Sequence, residues 1–319
     1  MNIGLWSDSH NFPNLALMKI SAWHKSQGDN VEFVFPLIHY DKIYVSKTFG
    51  GEYSSLPSEQ FNADEIIYGG TGFAITIENG KEVYHKDRDK DLPYEIEHIY
   101  PDYSIYPEFT KDTAYGFLTR GCPNNCAFCL VSKKEGRCSH KVADLSEFWR
   151  GQKNIVLLDP NILACKDRLD LLKQLRDSKS RVDFNQGLDA RFITEEVANL
   201  IKEIKLGTVH FAFDFMENEK AIIKGLQTYR KIVGGNYRDN IVYVLTNYDT
   251  THEEDIYRIK AIEDCGFTPD VRIYRKNTAP QITKDLQRWC NNRFLYRATK
   301  WEDYSPRSDG KTIKELYYS

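Results

Sequence analysis

The sequence predicts an α/β protein in which a small parallel domain precedes a larger unit of repeated strands and helices. Short apolar runs of strand length alternate with longer stretches whose apolar residues recur at the helical period. In the second half of the chain this alternation is regular, and polar residues follow the strand candidates. Alternating strands and helices form parallel sheets that bind ligands at the carboxyl ends of their strands, so we expect functional residues there.

Size and composition are those of an ordinary globular protein. The chain has 319 residues, 41% apolar and 28% charged, so it can bury a substantial core without covalent cross-links. Its formal net charge of -3 provides no global attraction to nucleic acid or to an anionic membrane. The N-terminus "MNIGLWSDSH" has no targeting pattern, and no apolar run is long enough to span a membrane, so we expect a cytoplasmic protein.

Residues 1–85 are predicted to form a small Rossmann-like domain. Two apolar runs, "IGLW" and "VEFVFPLI", flank the helical stretch "NLALMKISAWHKSQGD", which is the pattern of a parallel strand–helix–strand unit. Further strand candidates are "KIYVSK" and "EIIYGGTG". Residues 86–109 are charged, tyrosine-rich and weakly periodic, and are predicted to be a linker with limited structure of its own.

Residues 110–280 are predicted to form the larger unit. Its strand candidates are "YGFLT", "NIVLLD", "RVDFNQ", "TVHFAFD", "IVYVLTN" and "DVRIYR", and helix-like segments separate them. A sixfold alternation with right-handed crossovers gives a parallel sheet, either flat or rolled toward a barrel. Residues 281–319 are predicted to form a helical extension.

The chemistry is concentrated in the loop "TRGCPNNCAFCLVSKKEG", which directly follows the first of these six strands. It places Cys122, Cys126 and Cys129 close together in a polar, turn-forming context that does not suit inert buried thiols. Three thiolates can hold three irons of a 4Fe-4S cluster and leave the fourth iron open to another ligand. A zinc site completed by Cys138 or His140 is the alternative, although zinc loops usually pair their cysteines two at a time.

The spacing Cys-x3-Cys-x2-Cys, with Phe128 just before the last cysteine, resembles the signature of the radical S-adenosylmethionine (radical SAM) superfamily. The preceding "TRG" and the βα units that follow are similar to that family's partial (β/α)6 barrel, a partial TIM barrel. The resemblance covers about residues 110–280. It implies that S-adenosylmethionine binds the open iron and is reductively cleaved to a 5′-deoxyadenosyl radical that abstracts hydrogen from a substrate. It also implies a one-electron reductant such as a flavodoxin or ferredoxin, and a place for Phe128 near adenine.

Two strand ends are assigned to cofactor binding by position in this family. Asp159 closes the second strand, where many members bind the methionine amine; the family's Gly-Gly-Glu is absent, and an Asp there is also a common helix N-cap. The third strand ends in "DFNQGLDAR", which looks like the segment that contacts the cofactor's carboxylate and ribose, through Asn185, Gln186 and Arg191. The alternative there is a structural surface pair of Asp189 with Arg191.

The fourth and fifth strands offer weaker signals. Strand alternation places His210, Ala212 and Asp214 on one face, so that both polar side chains point inward and Asp214 becomes a cofactor-binding candidate. A single histidine in a strand is, however, more often a satisfied core residue than a catalyst. Thr246 and Asn247 end the fifth strand without the adenine-binding motif found there in relatives.

The N-terminal domain raises a second reading, because a Rossmann-like domain before this barrel resembles the cobalamin-binding radical enzymes that transfer methyl or alkyl groups. Asp8 and His10 stand where that group has a cobalamin-ligand motif, with Pro13 in place of its glycine, and Gly69 and Gly70 stand where it has a glycine pair. Ordinary turns also explain both segments. The least favoured hypothesis is a non-enzymatic iron–sulfur module, because a structural cluster needs no substrate cavity.

The remaining signals are local. Cys138, Cys165, Cys265 and Cys290 have no ligand spacing, so single buried thiols are expected. The C-terminal segment interleaves aromatic residues with the basic residues Arg272, Arg275, Lys276, Lys284, Arg288, Arg293, Arg297 and Lys300. This pattern suits nucleic acid, but we favour a helix that packs Leu286, Trp289 and Phe294 and points its charges to water. The substrate cannot be inferred from the sequence.

Overall fold

A computed structural model describes residues 1–9, 11–50, 54, 56–57, 61–79, 81–235 and 240–318. The chain divides into two compact units. Unit 1 comprises Met1–Pro160 with Cys165–Asp167, and unit 2 comprises Asn161–Ala164 with Arg168–Ser319. Both are α/β with mostly parallel strand pairing, which confirms the predicted fold class at that level. The predicted boundaries at residues 85, 109 and 280 stay predictions, as does the partial barrel.

Unit 1 begins with a parallel sheet whose strands lie in the order β2-β1-β3-β4. Its elements are β1 (Asn2–Ser7), α1 (Leu15–Ser26), β2 (Asn30–Phe33), β3 (Tyr40–Ser46) and β4 (Ala63–Gly69). Alternate residues Ile3 and Leu5 of β1 are buried against Leu17 and Ile20 of α1, as the two periodicities predict. The predicted strand–helix–strand unit is therefore confirmed.

The predicted linker is more ordered than its sequence indicates. An antiparallel hairpin of β5 (Ile75–Glu78) and β6 (Lys81–Tyr84) precedes residues 86–109, and the predicted linker itself carries the short helices α2 (Tyr94–Glu97) and α3 (Pro107–Thr110). Ile96 of α2 packs into the α1 core, and the Asp102 carboxylate accepts from the Ser21 hydroxyl at 2.7 Å. These contacts are distant in sequence, so weak local periodicity did not reveal them.

The rest of unit 1 carries the cysteine loop. Its elements are β7 (Thr113–Gly116), β8 (Thr119–Arg120), α4 (Val131–Lys134), β9 (His140–Lys141) and β10 (Asn154–Leu157). β7 pairs with β10 in parallel, and β8 pairs with β9 antiparallel. The cysteine loop connects β8 to α4, at the carboxyl end of the first predicted strand.

Unit 2 continues the alternation of helix and strand. Before the C-terminal extension, its helices and strands are α5 (Arg168–Ser178), β11 (Arg181–Phe184), α6 (Glu195–Glu203), β12 (Val209–Ala212), α7 (Glu219–Ile232), β13 (Asn240–Thr246), α8 (His252–Asp264) and β14 (Thr268–Ile273). β12, β13 and β14 pair in parallel, in that order. Phe211 and Phe213 are buried while His210, Ala212 and Asp214 are more exposed, so the predicted alternation of faces is confirmed.

The C-terminal extension is helical, with α9 (Gln281–Asn291), α10 (Arg293–Ala298) and α11 (Ile313–Tyr317). Leu286 and Trp289 are buried as predicted. The predicted packing of Phe294 is wrong, because its side chain is 88% exposed. The reason is a break at Asn292, whose side chain accepts from the first amides of α10 and starts a new helix there. No helix among the described residues is long and apolar enough to cross a membrane.

Candidate functional site

The three cysteines of the loop are all partly shielded from solvent. Cys122, Cys126 and Cys129 are half-buried, and so is Phe128, whereas the intervening Pro123, Asn125 and Ala127 are exposed. The Cys129 amide donates to the Cys126 carbonyl at 2.9 Å, which closes a tight turn between the last two cysteines. Asn125 takes a positive φ of 38° just before this turn. Half-buried residues, among them the three cysteines, thus alternate with exposed residues along the loop.

The base of the loop is closed by Glu135. Its carboxylate accepts from the Arg120 guanidinium at 2.7 Å and from the Gly121 amide at 3.0 Å. The Cys122 amide donates to the Gly136 carbonyl at 3.1 Å. Gly121 has a φ of 82°, and a Cβ there would lie 2.2 Å from the Cys138 carbonyl oxygen, so this position requires glycine.

Asp159 holds the strand that leads into the loop. Its carboxylate is 3% exposed and accepts from the amides of Leu118 and Thr119 and from the Thr119 hydroxyl. Burial raises the pKa of Asp159 to about 6, although these hydrogen bonds act in the opposite direction. In this structure Asp159 is therefore bound to the backbone just before the cysteines, and it does not cap a helix.

The three cysteines supply the right donors for an iron–sulfur cluster, because thiolates on one loop are the usual ligands of such clusters. Among the described residues, however, no group of three or more His, Cys, Asp or Glu side chains is arranged to hold a metal ion. The ligand assignment therefore rests on residue type and spacing.

The other cysteines have separate environments. Cys165, Cys265 and Cys290 are buried, as predicted. The expectation of a buried thiol is wrong for Cys138, which is exposed because it lies at the base of the loop rather than in the core. The neighbouring His140 is also exposed, and its Nδ1 lies 3.1 Å from the Cys138 carbonyl oxygen.

At the end of β11, the predicted cofactor-binding residues divide into two groups. Asn185 and Gln186 are exposed in the turn that follows the strand. Arg191 donates to both carboxylate oxygens of Asp189, at 2.9 and 2.7 Å, and to the Asn218 side chain at 3.4 Å. The pair of Asp189 with Arg191 is thus present in the structure, and it holds the guanidinium in a fixed orientation.

Asp214 lies at the end of β12 and is tied to the neighbouring strand. Its carboxylate accepts from the Leu245 amide at 3.1 Å, and burial raises its pKa. The fully buried Arg258 of α8 donates to the carbonyls of Phe213, Asp214 and Leu245 and to the Asp255 carboxylate. This buried network fixes the carboxyl ends of β12 and β13.

The residues considered for cobalamin have structural contacts of their own. Asp8 accepts from the amides of Thr48 and Phe49, at 2.9 and 3.0 Å. Gly70 has a φ of 95°, and a Cβ there would lie 2.5 Å from the Lys47 carbonyl oxygen, so the close passage of two chain segments requires it. His10 lies outside the described residues.

Sequence reasoning missed several of these polar residues. Glu135 was not distinguished from the charged residues around it, since its importance comes from its position opposite Arg120 and Gly121. Asp183 was also missed, although its place between the buried Val182 and Phe184 marks a polar residue on one face of a strand. No protein-family model matches this chain, and no curated protein sequence matches it significantly.

Proposed function

We propose that this protein is a radical S-adenosylmethionine enzyme that binds a 4Fe-4S cluster through Cys122, Cys126 and Cys129. The observation that carries the proposal is the three-cysteine loop itself, which has the family's spacing and follows a strand of an α/β protein. Its three cysteines are half-buried in a loop whose base is fixed by Glu135 and Gly121. Three ligands leave one iron open for the methionine part of the cosubstrate.

When bound, such a cluster supplies the electron that cleaves S-adenosylmethionine to a 5′-deoxyadenosyl radical, which abstracts hydrogen from the substrate. The chain's own residues bind and orient. In this proposal Asp159 and Glu135 hold the backbone just before the first cysteine, through the Thr119 and Gly121 amides. Phe128 provides an apolar surface for adenine, and Arg191, oriented by Asp189, binds a carboxylate or ribose group. A flavodoxin or ferredoxin supplies the electron.

A closed four-thiol site is the second candidate function. The carbonyl of Cys138 packs against Gly121, next to the first loop cysteine, and the Cys138 side chain is exposed at this base. Four thiolates would complete a structural zinc or iron–sulfur site and leave no position for a cosubstrate. This candidate corresponds to the non-enzymatic module considered from the sequence.

Anaerobic reconstitution followed by reduction with dithionite tests both candidates. We expect about four irons per chain and release of 5′-deoxyadenosine from S-adenosylmethionine. Cys126→Ala should lose iron and cleavage together, while the matched variant Cys138→Ser should keep both. A bound zinc ion with no cleavage would contradict the proposal, and loss of iron in Cys138→Ser would favour the four-thiol site.

The same preparation addresses the cobalamin-dependent version of the reaction. Protein expressed with cobalamin supplied should show corrin absorbance bands after purification if the N-terminal sheet binds this cofactor. Gly69 lies on the edge strand of that sheet. A Cβ added at this glycine would meet no atom within 4 Å, so the space beside it is open. Absence of the bands would leave the simpler radical enzyme.

A further inference from the structure

One face of the strands of unit 2 carries six ionisable side chains. This polar face consists of Arg181 and Asp183 on β11, His210 on β12, Tyr243 on β13, and Asp270 and Arg272 on β14. The alternate positions of the same strands are buried and apolar, namely Val182, Phe184, Val209, Phe211, Val242, Val244 and Val271. Sheet geometry therefore places the apolar residues on the core side and the ionisable residues on the other. Such a concentration of ionisable groups is typical of ligand sites.

Three of these side chains interact directly with one another. The Arg272 guanidinium lies 4.6 Å from the centre of the Tyr243 ring and pairs with the Asp270 carboxylate at 2.7 Å. His210 also lies beside Tyr243, with the two rings nearly parallel, at 9° and 5.2 Å between centres. The imidazole is therefore stacked on the Tyr243 ring.

Asp183 and His210 each have a side-chain atom that could still accept or donate a hydrogen bond. Asp183 Oδ1 and His210 Nδ1 are both buried, and neither has a hydrogen-bond partner among the described residues. A buried polar atom without a partner costs about 1–3 kcal/mol. The segments that carry these two atoms run side by side, since Val182 bridges Leu206 in parallel and the Leu188 amide donates to the His210 carbonyl, so the two atoms call for a common explanation. Asp183 is the charge that most raises the pKa of His210, although burial outweighs it and lowers that pKa overall. The two side chains thus interact electrostatically without a direct hydrogen bond.

We propose that Asp183 and His210 together bind the protonated amine of a ligand. A neutral imidazole whose Nε2 carries the proton presents Nδ1 as an acceptor, and the carboxylate Oδ1 is an acceptor as well. An ammonium group has three N–H donors and no acceptor, so it can satisfy both atoms at once. An anion would instead meet the Asp183 carboxylate, and an apolar group would leave both atoms unpaired. The site belongs to unit 2 alone and does not require the cysteine loop to hold a cluster.

The competing occupant is water, which can also bridge two buried acceptors. Arg181 is a further neighbour, since its charge lowers the pKa of Asp183, but its side chain is exposed. An ammonium ligand differs from both in being exchangeable, cationic and dependent on N–H donors. These three properties can be varied separately with small probes.

Nuclear magnetic resonance of the full chain with isotope-labelled histidine tests the proposal, with the His210 signal assigned by its loss in His210→Gln. Methylammonium should shift this signal saturably. Tetramethylammonium, which has the same charge and no N–H donor, should not, and neither should inorganic phosphate. Asp183→Asn should weaken methylammonium binding at least about tenfold, because it removes a charge-assisted hydrogen bond. Asp170→Asn, which changes an exposed carboxylate on α5, should leave binding unchanged.

Absence of a saturable shift with methylammonium would mean that water suffices and would overturn the proposal. An equal response to tetramethylammonium would reduce it to a general effect of cations, and a shift caused by phosphate would indicate an anion site. If Asp183→Asn does not fold by circular dichroism, the comparison of the two ammonium ions on the unchanged protein decides alone. None of these results depends on iron, so failure here is distinguishable from failure of the proposed radical chemistry.

Discussion

Replacing Asp159 should destabilise the strand that leads into the cysteine loop. In Asp159→Ala, the buried amides of Leu118 and Thr119 lose their acceptor. Each unpaired buried donor costs about 1–3 kcal/mol, so unfolding should become easier by about 2–6 kcal/mol. Asp159→Asn keeps one acceptor oxygen in the same place, and we expect it to lose less than half as much. Urea unfolding followed by circular dichroism measures both differences.

The pH dependence of stability in Asp159→Asn gives a second test, because the direction of the change can be predicted. The pKa of Asp159 is raised to about 6 in the folded protein, so the fold favours the protonated carboxyl. Stability from this group is fully present below the unfolded-state pKa, near 4, and is lost as the pH rises through about 6. The loss amounts to about 3 kcal/mol at neutral pH. Asp159→Asn has no proton to lose, so its stability relative to the unchanged protein should improve between pH 4 and pH 7.

Comparing the two proteins at each pH matters because other buried carboxyls also titrate. Asp183, Asp214, Asp255 and Asp270 all have pKa values raised by burial, and they are common to both proteins. Their contribution therefore cancels in the difference. If the difference in free energy of unfolding stays constant from pH 4 to pH 7, the Asp159 carboxyl does not have a raised pKa in the folded protein, and the reasoning is refuted.

Two further substitutions test the packing of unit 2. Arg258→Met should cost about 3–5 kcal/mol in urea unfolding, because it leaves the Asp255 carboxylate and several strand-end carbonyls buried without their donor; a cost below about 1 kcal/mol would contradict this role. Gly225→Ala should cost about 1–3 kcal/mol, since its Cβ would lie 1.8 Å from the Ala190 carbonyl oxygen, while the exposed neighbour Lys224→Ala should change stability by less than about 0.5 kcal/mol. Equal effects of the two helix variants would show that α7 can move away.

Periodicity predicted the strands and helices well because burial decides both. The strand predicted at "TVHFAFD" is present, with Phe211 and Phe213 buried and Ala212 between them exposed. The segment 86–109 was harder, because Ile96 is buried by a helix far earlier in the chain and its own neighbourhood is polar. The predicted burial of Phe294 was wrong for a local reason. Asn292 starts a new helix within a segment whose sequence pattern is that of a single helix.

The candidate site shows a similar division. Residue types and spacing singled out the three cysteines, but the groups that hold the loop could not be found in this way. Glu135 and Asp159 matter because of the backbone amides they meet, and the contact of Asp159 with the Thr119 amide joins residues 40 positions apart. The pair of Asp189 with Arg191, by contrast, was an alternative already visible in the sequence, because it joins residues two positions apart. The hydrogen bonds of Glu135 and Asp159 connect residues much farther apart in the chain. Long-range hydrogen bonds of this kind leave no pattern in a single sequence.

Backbone and carboxylate groups make three contacts at the base of the cysteine loop. Glu135 accepts from the Gly121 amide, Gly121 packs on the Cys138 carbonyl, and Asp159 holds the amides just upstream. Since these contacts involve backbone and carboxylate groups, they do not depend on a bound metal, and under the proposed function they would preorganise the loop for the cluster. Cys126→Ala removes a thiol and none of these contacts. Loss of iron in that variant would therefore report on the missing ligand rather than on a misfolded loop, provided its unfolding by urea matches that of the unchanged apoprotein.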